Sequence, residues 1–241
     1  MDTWIHQQEM SENMAVLLKN GGLFLHVPKT GGSWVKHVLR DQGVVKMEWP
    51  HPHPDMERVL NYPRHYPRHY ISKSLEYRTI SLYNEINESY KFCFVRNPYS
   101  WYSSYWRYWA GLDWEFPGGD ESVSTMRRSW KPNSTLHSYR KDDFRSFMRT
   151  VLENYPGYLT QMYGWYAPPE EINFVGRIES LVDDLLEALN QMDIDVDEEK
   201  IRSTRKVNTS PGRIDRPTWD DELWAAVRRL EAPVFERFGY E

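Results

Sequence analysis

The sequence predicts an α/β fold of three layers, with helices on both faces of a central parallel sheet. Two observations carry this prediction. The apolar runs Leu23-Phe24-Leu25 and Phe92-Cys93-Phe94-Val95 are each followed by a turn and then by helical spacing. Continuous apolarity over so few residues suits strands covered on both faces, as in a parallel sheet. A third strand, Ile172 to Val175, precedes a helix whose apolar face is marked by Leu181, Leu185, Leu186 and Leu189. Strands alternating with helices give a layered α/β domain.

In chain order, Gln7 to Leu18 is expected to be a short helix leading into the first strand. After the turn Pro28-Lys29-Thr30-Gly31-Gly32-Ser33, helical spacing resumes at Trp34, Val35, Val38 and Leu39. Glu48 to Tyr70 is dense in Pro, His and Tyr and contains the direct repeat Tyr62-Pro-Arg-His-Tyr-Pro-Arg-His-Tyr70. It is too short for a repeat architecture, and its prolines oppose a regular element. After the second strand, Pro98 suits the first turn of a helix. Gly111 to Ser138 is loop-rich, with Pro117, Gly118, Gly119 and Pro132 as breakers. Asp142 or Asp143 is placed to cap a helix through Phe144, Phe147, Met148 and Val151, and Trp219 to Leu230 forms a last amphipathic helix. The 241 residues contain no linker long enough to separate domains, so the reading is one domain over 1–241. Its core runs from about residue 20 to 241, with insertions at about 48–70 and 111–138.

The first turn is built for an anion. Adjacent glycines let backbone N–H groups fold inward around an oxyanion, and the following helix adds the positive end of its dipole. Lys29 and the Thr30 and Ser33 hydroxyls add donors. In a Walker A loop the lysine follows the glycines and directly precedes Ser/Thr; here Lys29 comes first. At the end of the second strand, Arg96-Asn97-Pro98 leads into a helix that carries Ser104 two turns on. An arginine and a serine so spaced can hold one phosphate between them, the arginine by a forked contact.

Together the two segments resemble the sulfotransferases that use 3′-phosphoadenosine 5′-phosphosulfate. In that family a Pro-Lys-Thr-Gly-Gly-(Ser/Thr) loop holds the 5′-phosphosulfate. An Arg-x-Pro segment, with a serine at the Arg96-to-Ser104 spacing, holds the 3′-phosphate. Phe174-Val175-Gly176-Arg177-Ile178-Glu179-Ser180-Leu181 resembles the family's later strand and helix start. Val207-Asn208-Thr209-Ser210 resembles its late loop, and Phe235-Glu236-Arg237-Phe238-Gly239-Tyr240 its C-terminal ending. The resemblance implies a P-loop NTPase-like sulfotransferase fold, of a soluble bacterial type related to the carbohydrate-modifying Golgi enzymes. It implies transfer of a sulfuryl group to the hydroxyl of a small molecule or glycan, with 3′-phosphoadenosine 5′-phosphate as the other product and no metal. The binding residues it implies are Lys29, Thr30, Gly31, Gly32, Ser33, Trp34, Arg96 and Ser104. Arg205 or Lys206 is a further contact from the late loop.

Sulfuryl transfer to a hydroxyl needs a base, and histidine suits because its ordinary pKa lies near neutrality. His51, His53, His65 and His69 all fall between the two motifs. In relatives a histidine precedes the arginine motif at about the distance of His69, so His69 is the first choice, with Lys29 the other catalytic residue. His65 is second, because the repeat leaves the register ambiguous. The same histidines lack cysteine partners or a zinc-site spacing, and no metal is assigned.

A charge of −5 provides no general basic surface for nucleic acid. The basic residues cluster at Arg58 to Arg78 and Arg127 to Arg149, and solvated faces account for most of them. Cys93 is the single cysteine and lies within an apolar strand, where packing is its expected role. Met1 to Asn20 does not read as a signal peptide, and no apolar run is long enough to span a bilayer; a cytoplasmic protein without membrane partners is expected. Of the aromatic residues, Trp101, Tyr105 and Trp109 repeat at helical spacing as core, whereas Trp114, Trp165 and Tyr166 are candidates for a substrate wall. Two other classes compete with the sulfotransferase reading. A P-loop phosphotransferase using ATP and magnesium requires an acidic residue ending an apolar strand, where this chain has Arg96. A non-catalytic nucleotide- or carbohydrate-binding module would have no need of Lys29.

Overall fold

The computed structural model describes residues 15–48, 54–61, 82–114, 133–205 and 217–241. Among the described residues, five strands form one sheet: β1 Val16–Leu18, β2 Gly22–Leu25, β3 Val45–Glu48, β4 Tyr90–Val95 and β5 Phe174–Arg177, in the order β3-β1-β2-β4-β5. The pairs β2·β4 and β4·β5 are parallel, in registers such as Phe24 opposite Phe92 and Cys93 opposite Val175. The α/β/α layering is as the sequence predicts, but the sheet is mixed. β1 runs antiparallel to both β2 and β3. Its residues belong to the segment expected to be helical; Val16, Leu17 and Leu18 are instead buried strand. They reach Gly22 through a tight turn at Gly21 (φ 80°), and a sharp reversal of this kind joins antiparallel neighbours.

Two apolar clusters lie on opposite faces of the sheet, as the period of two along each strand dictates. Leu23, Leu25, Cys93 and Val95 face one cluster; Phe24, Phe92 and Phe94 face the other. The second cluster is closed by α1 (Gly32–Asp41) through Trp34, Val35, Val38 and Leu39. It is completed by a helix at Leu181–Gln191 through Leu181, Leu185 and Leu189. Gly176 lies between Phe94 and that helix, where a Cβ would come within 2.5 Å of the Phe94 ring. The thicker first layer holds α2 (Pro98–Ala110), α3 (Phe144–Asn154), α4 (Tyr158–Tyr166), α5 (Asp221–Leu230) and α6 (Ala232–Phe238). Trp101, Tyr105 and Trp109 are core, as their spacing requires.

Local capping agrees with the sequence. Asn97 accepts from the Tyr99 amide with Pro98 in the first turn of α2, and Asp143 caps α3 by accepting from Ser146. The hydrogen bond from the Ser146 amide holds the Asp143 carboxyl below its usual range. The stretch expected to be irregular from Glu48 contains a short helix, Met56–Leu60, capped by Asp55. The insertion after Gly111 ends in a short helix at Asn133–Leu136. The third strand starts two residues later than expected; the helix expected from Trp219 starts at Asp221 and is not the last, since α6 follows it at Ala232–Phe238. Cys93 is fully buried, and burial pushes its thiol up to about 12. Among the described residues, no helix is long and apolar enough to cross a membrane.

Candidate functional site

The C-terminal ends of the parallel neighbours β2 and β4 carry the two sequence motifs, so adjacent pairing brings together segments far apart in the chain. This is where α/β sheets bind ligands. The loop after β2 is held mainly by its carbonyls. Thr30 Oγ1 donates to the Val27 carbonyl at 2.9 Å, Trp101 Nε1 to the Pro28 carbonyl at 2.8 Å, and Arg96 Nη1 to the Lys29 carbonyl at 3.3 Å. Three consecutive carbonyls are thus engaged by protein donors, which suits an anion site, since a carbonyl directed into it would repel the ligand.

Lys29 has φ 64°, the left-handed region that is costly for any residue with a Cβ and recurs at functional sites. The bonds to the Pro28 and Lys29 carbonyls help hold that conformation. Gly31, at φ 85°, precedes α1 and supplies no side-chain cap, and the first turn has no acidic residue. The helix N-terminus therefore keeps its dipole and amide groups for a ligand. Both glycines also have a packing reason. A Cβ on Gly31 would meet Leu181 at 2.9 Å, and one on Gly32 would overlap the buried His26 ring at 1.9 Å.

The Lys29 ammonium lies 4.1 Å over the Tyr108 ring. The residue as a whole is half-buried, but desolvation of the ammonium lowers its pKa to about 7, and the charges of Arg96 and Arg107 add to the effect. Burial likewise lowers the Arg96 pKa, opposed by Tyr163, Glu179 and Tyr240 and aided least by Arg107. The charges of Arg96 and Arg107 thus oppose protonation of Lys29, an effect that an incoming polyanion would relieve. Sequence reasoning misses Arg107 and Tyr108. The signal for Arg107 is helical period, since Ser100, Ser104 and Arg107 recur on one face of α2.

Arg96 is fixed along its length. Its Nε donates to Ser100 Oγ at 2.9 Å, so the structure brings Ser100 rather than Ser104 to the guanidinium. Ser104 lies one turn further and is buried. The Tyr163 hydroxyl bridges the Arg96 backbone, accepting from its N–H and donating to its C=O, each at 2.9 Å. The Asn97 amide donates to Glu179 Oε1 at 3.0 Å, and Tyr240 donates to Glu179 Oε2 at 3.1 Å. The segments around Glu179 and Tyr240, notable in the sequence only for their order, thus reach the turn after β4.

Thr30 is buried, whereas Ser33 is partly exposed. Trp34 is buried and its Nε1 donates to the Thr204 carbonyl at 3.4 Å, which brings the start of the late loop to α1; Arg205 follows it, exposed. Lys206, His65, His69, His51, His53 and the Asn208 segment lie outside the described residues. Two of the candidate wall residues, Trp114 and Tyr166, are 5% and 1% exposed and belong to the core. Asp113 and Trp114 both adopt positive φ, and the Trp114 ring packs against Phe147 and His137. Trp165 is partly exposed. Among the described residues, no group of three or more His, Cys, Asp or Glu side chains is arranged to hold a metal ion.

Neither the curated proteins nor the solved structures gave a match to this chain. The model of the sulfotransferase family matches residues 13–218, a span that includes the Lys29 loop, the Arg96 turn and the Glu179 segment. With most of its length so matched, and with a sheet that sets the Lys29 loop and the Arg96 turn side by side, the chain belongs to the sulfotransferase family.

Proposed function

We propose that this protein moves a sulfuryl group from 3′-phosphoadenosine 5′-phosphosulfate to the hydroxyl of a small molecule or glycan, within one domain. The observation that carries this reading is the Arg96 guanidinium bonded to the Lys29 carbonyl, in a loop whose neighbouring carbonyls are also engaged by protein donors. A donor with a phosphosulfate at one end and a 3′-phosphate at the other needs two anion subsites, and the residues fit it. The α1 N-terminus, Lys29, Gly31, Gly32 and Ser33 face the phosphosulfate, with Thr30 and Trp34 supporting them. Arg96, Ser100 and Ser104 take the 3′-phosphate, and Arg205 or Lys206 adds charge.

In the reaction the acceptor oxygen attacks sulfur in line. The bond from sulfur to the bridging oxygen breaks, and its electron pair leaves on the 5′-phosphate of the nucleotide. Lys29 stabilises charge building on that oxygen. The acceptor proton passes to His69, or to His65 as second choice. No metal is required in this scheme, because a sulfuryl group carries less negative charge than a phosphoryl group and Lys29 with the loop dipoles supplies the neutralisation. A phosphotransferase reading is less well supported, since β4 is followed directly by Arg96 where a magnesium site would use an acidic residue.

Thermal melting tests the donor class. At ligand excess, 3′-phosphoadenosine 5′-phosphate should raise Tm and ATP with magnesium should not. The reverse result would replace this reading with the phosphotransferase one.

A further inference from the structure

We infer that Tyr163 is a positioning residue for the 3′-phosphate subsite, fixing Arg96 by clasping both polar groups of its backbone, with Glu179 fixing the next residue. The inference rests on the proposed donor. At 2.9 Å each, the two contacts of the Tyr163 hydroxyl are full hydrogen bonds. Arg96 directly follows β4, whose ladder to β5 stops at Val95 opposite Arg177. Its N–H and C=O therefore leave the sheet at the residue whose guanidinium must be aimed.

A phenol is suited to this place. Its single hydroxyl accepts one bond and donates another, so it closes a ring with one residue that neither Phe nor a purely donating group could close. Tyr163 is 1% exposed, and burial holds its phenol protonated well past neutrality, so the donor is retained. Its ring is seated at 5.7 Å against Phe238, and that packing limits how far the hydroxyl, and Arg96 with it, can shift. Glu179 then bridges the Asn97 amide to Tyr240, tying the turn to the C-terminal end of the described chain. Because the guanidinium also donates to the Lys29 carbonyl, a displaced Arg96 would disturb both ends of the donor site. The 3′-phosphate, which meets the guanidinium itself, should be affected most. A misplacement of a charged group by a fraction of its hydrogen-bond length weakens it steeply.

Calorimetric titration of the full chain with 3′-phosphoadenosine 5′-phosphate and with adenosine 5′-phosphate tests this. The wild type should prefer the first nucleotide. Tyr163→Phe should reduce that preference about tenfold, the size expected for losing a well-aimed charge-assisted contact, with adenosine 5′-phosphate little changed. Tyr102→Phe is the control for a merely structural loss, since that hydroxyl donates to Glu231 in the core; it should keep the preference. If Tyr163→Phe does not fold, Glu179→Ala and Glu179→Gln carry the test. Both lose the charge, but only Gln keeps an acceptor for the Asn97 amide, so Ala should show the weaker preference. An undiminished preference in Tyr163→Phe, or equal values for the two Glu179 variants, would overturn the inference. A wild type without any preference would overturn the donor reading itself, and the inference with it.

Discussion

The guanidinium of Arg96 donates to the backbone carbonyl of Lys29 across 67 positions of chain. One side chain thereby belongs to both loops, each read from sequence as a separate half of an anion site. Arg96→Ala should weaken 3′-phosphoadenosine 5′-phosphate strongly and lower the affinity for adenosine 5′-phosphosulfate less, because the second ligand meets only the loop that Arg96 braces. Arg96→Lys would keep the charge but lose the fork. Equal losses for both nucleotides in Arg96→Ala, measured by calorimetry, would make the arginine a brace alone.

Lys29 gives a pH signature. Burial, then Arg96 and Arg107, bring its pKa from 10.5 to about 7 in the ligand-free protein. Between these values the unfolded chain holds a proton that the folded chain has released, so stability rises with pH through this window. Below about 7 the folded protein bears the full penalty of the charge. A bound polyanion favours the protonated amine, so nucleotide binding should take up a proton above that pKa, seen as a dependence of binding heat on buffer ionisation. Arg107→Ala removes a repulsive neighbour and should move the uptake to higher pH. Lys29→Ala should abolish it and lower turnover by ~10²–10³, the usual loss for one preorganised charge-stabilising donor.

The base should separate from donor binding. His69→Ala is expected to lower turnover by ~10²–10⁴ while 3′-phosphoadenosine 5′-phosphate binds as before. In the wild type the rate should fall as imidazole is protonated below neutral pH. If His65→Ala produces this pattern and His69→Ala does not, the second histidine of the repeat is not the base.

Gly32 faces His26 too closely for any side chain. In Gly32→Ala the new Cβ would lie 1.9 Å from the buried ring, so His26 or α1 must move. The expected cost is about 1–3 kcal/mol, measured by urea unfolding, together with weaker nucleotide binding because the α1 N-terminus shifts.

Glu231 holds the first layer together. Its buried carboxylate accepts from the Leu159 and Thr160 amides at the start of α4, from the Thr160 hydroxyl, and from Tyr102. It does the capping that Gly157, without a side chain, cannot do. Glu231→Ala should cost ~3–5 kcal/mol of stability in urea unfolding, and Glu231→Gln less. A loss below about 1 kcal/mol for Ala would mean that water replaces the carboxylate at no cost.

What the sequence determined by itself was local. Apolar runs marked β2 and β4, because strands covered on both faces leave no polar position. Gly31-Gly32 and Asn97-Pro98 marked the turns and helix starts, because few residues tolerate those backbone states or lack the amide that the first turn leaves unused. Periodicity separated Trp101, Tyr105 and Trp109 as core. It failed at β1, where Val16-Leu17-Leu18 is too short to distinguish strand from helix, and at Trp114, whose left-handed turn folds a loop residue back into the core.

Only the tertiary structure decided which residues meet. Parallel pairing of β2 with β4 set Arg96 beside Lys29, and the return of α2 over the loop added Tyr108 to the site and Arg107 to its field. Arg96 meets Ser100 rather than Ser104 because a guanidinium at the strand end reaches the first turn of the helix before the second. Tyr163 and Glu179 reach the Arg96-Asn97 backbone from segments far along the chain. Charge crowding and backbone clasping are properties of distances, and residue spacing in a sequence carries distance only as far as one helix or one strand extends.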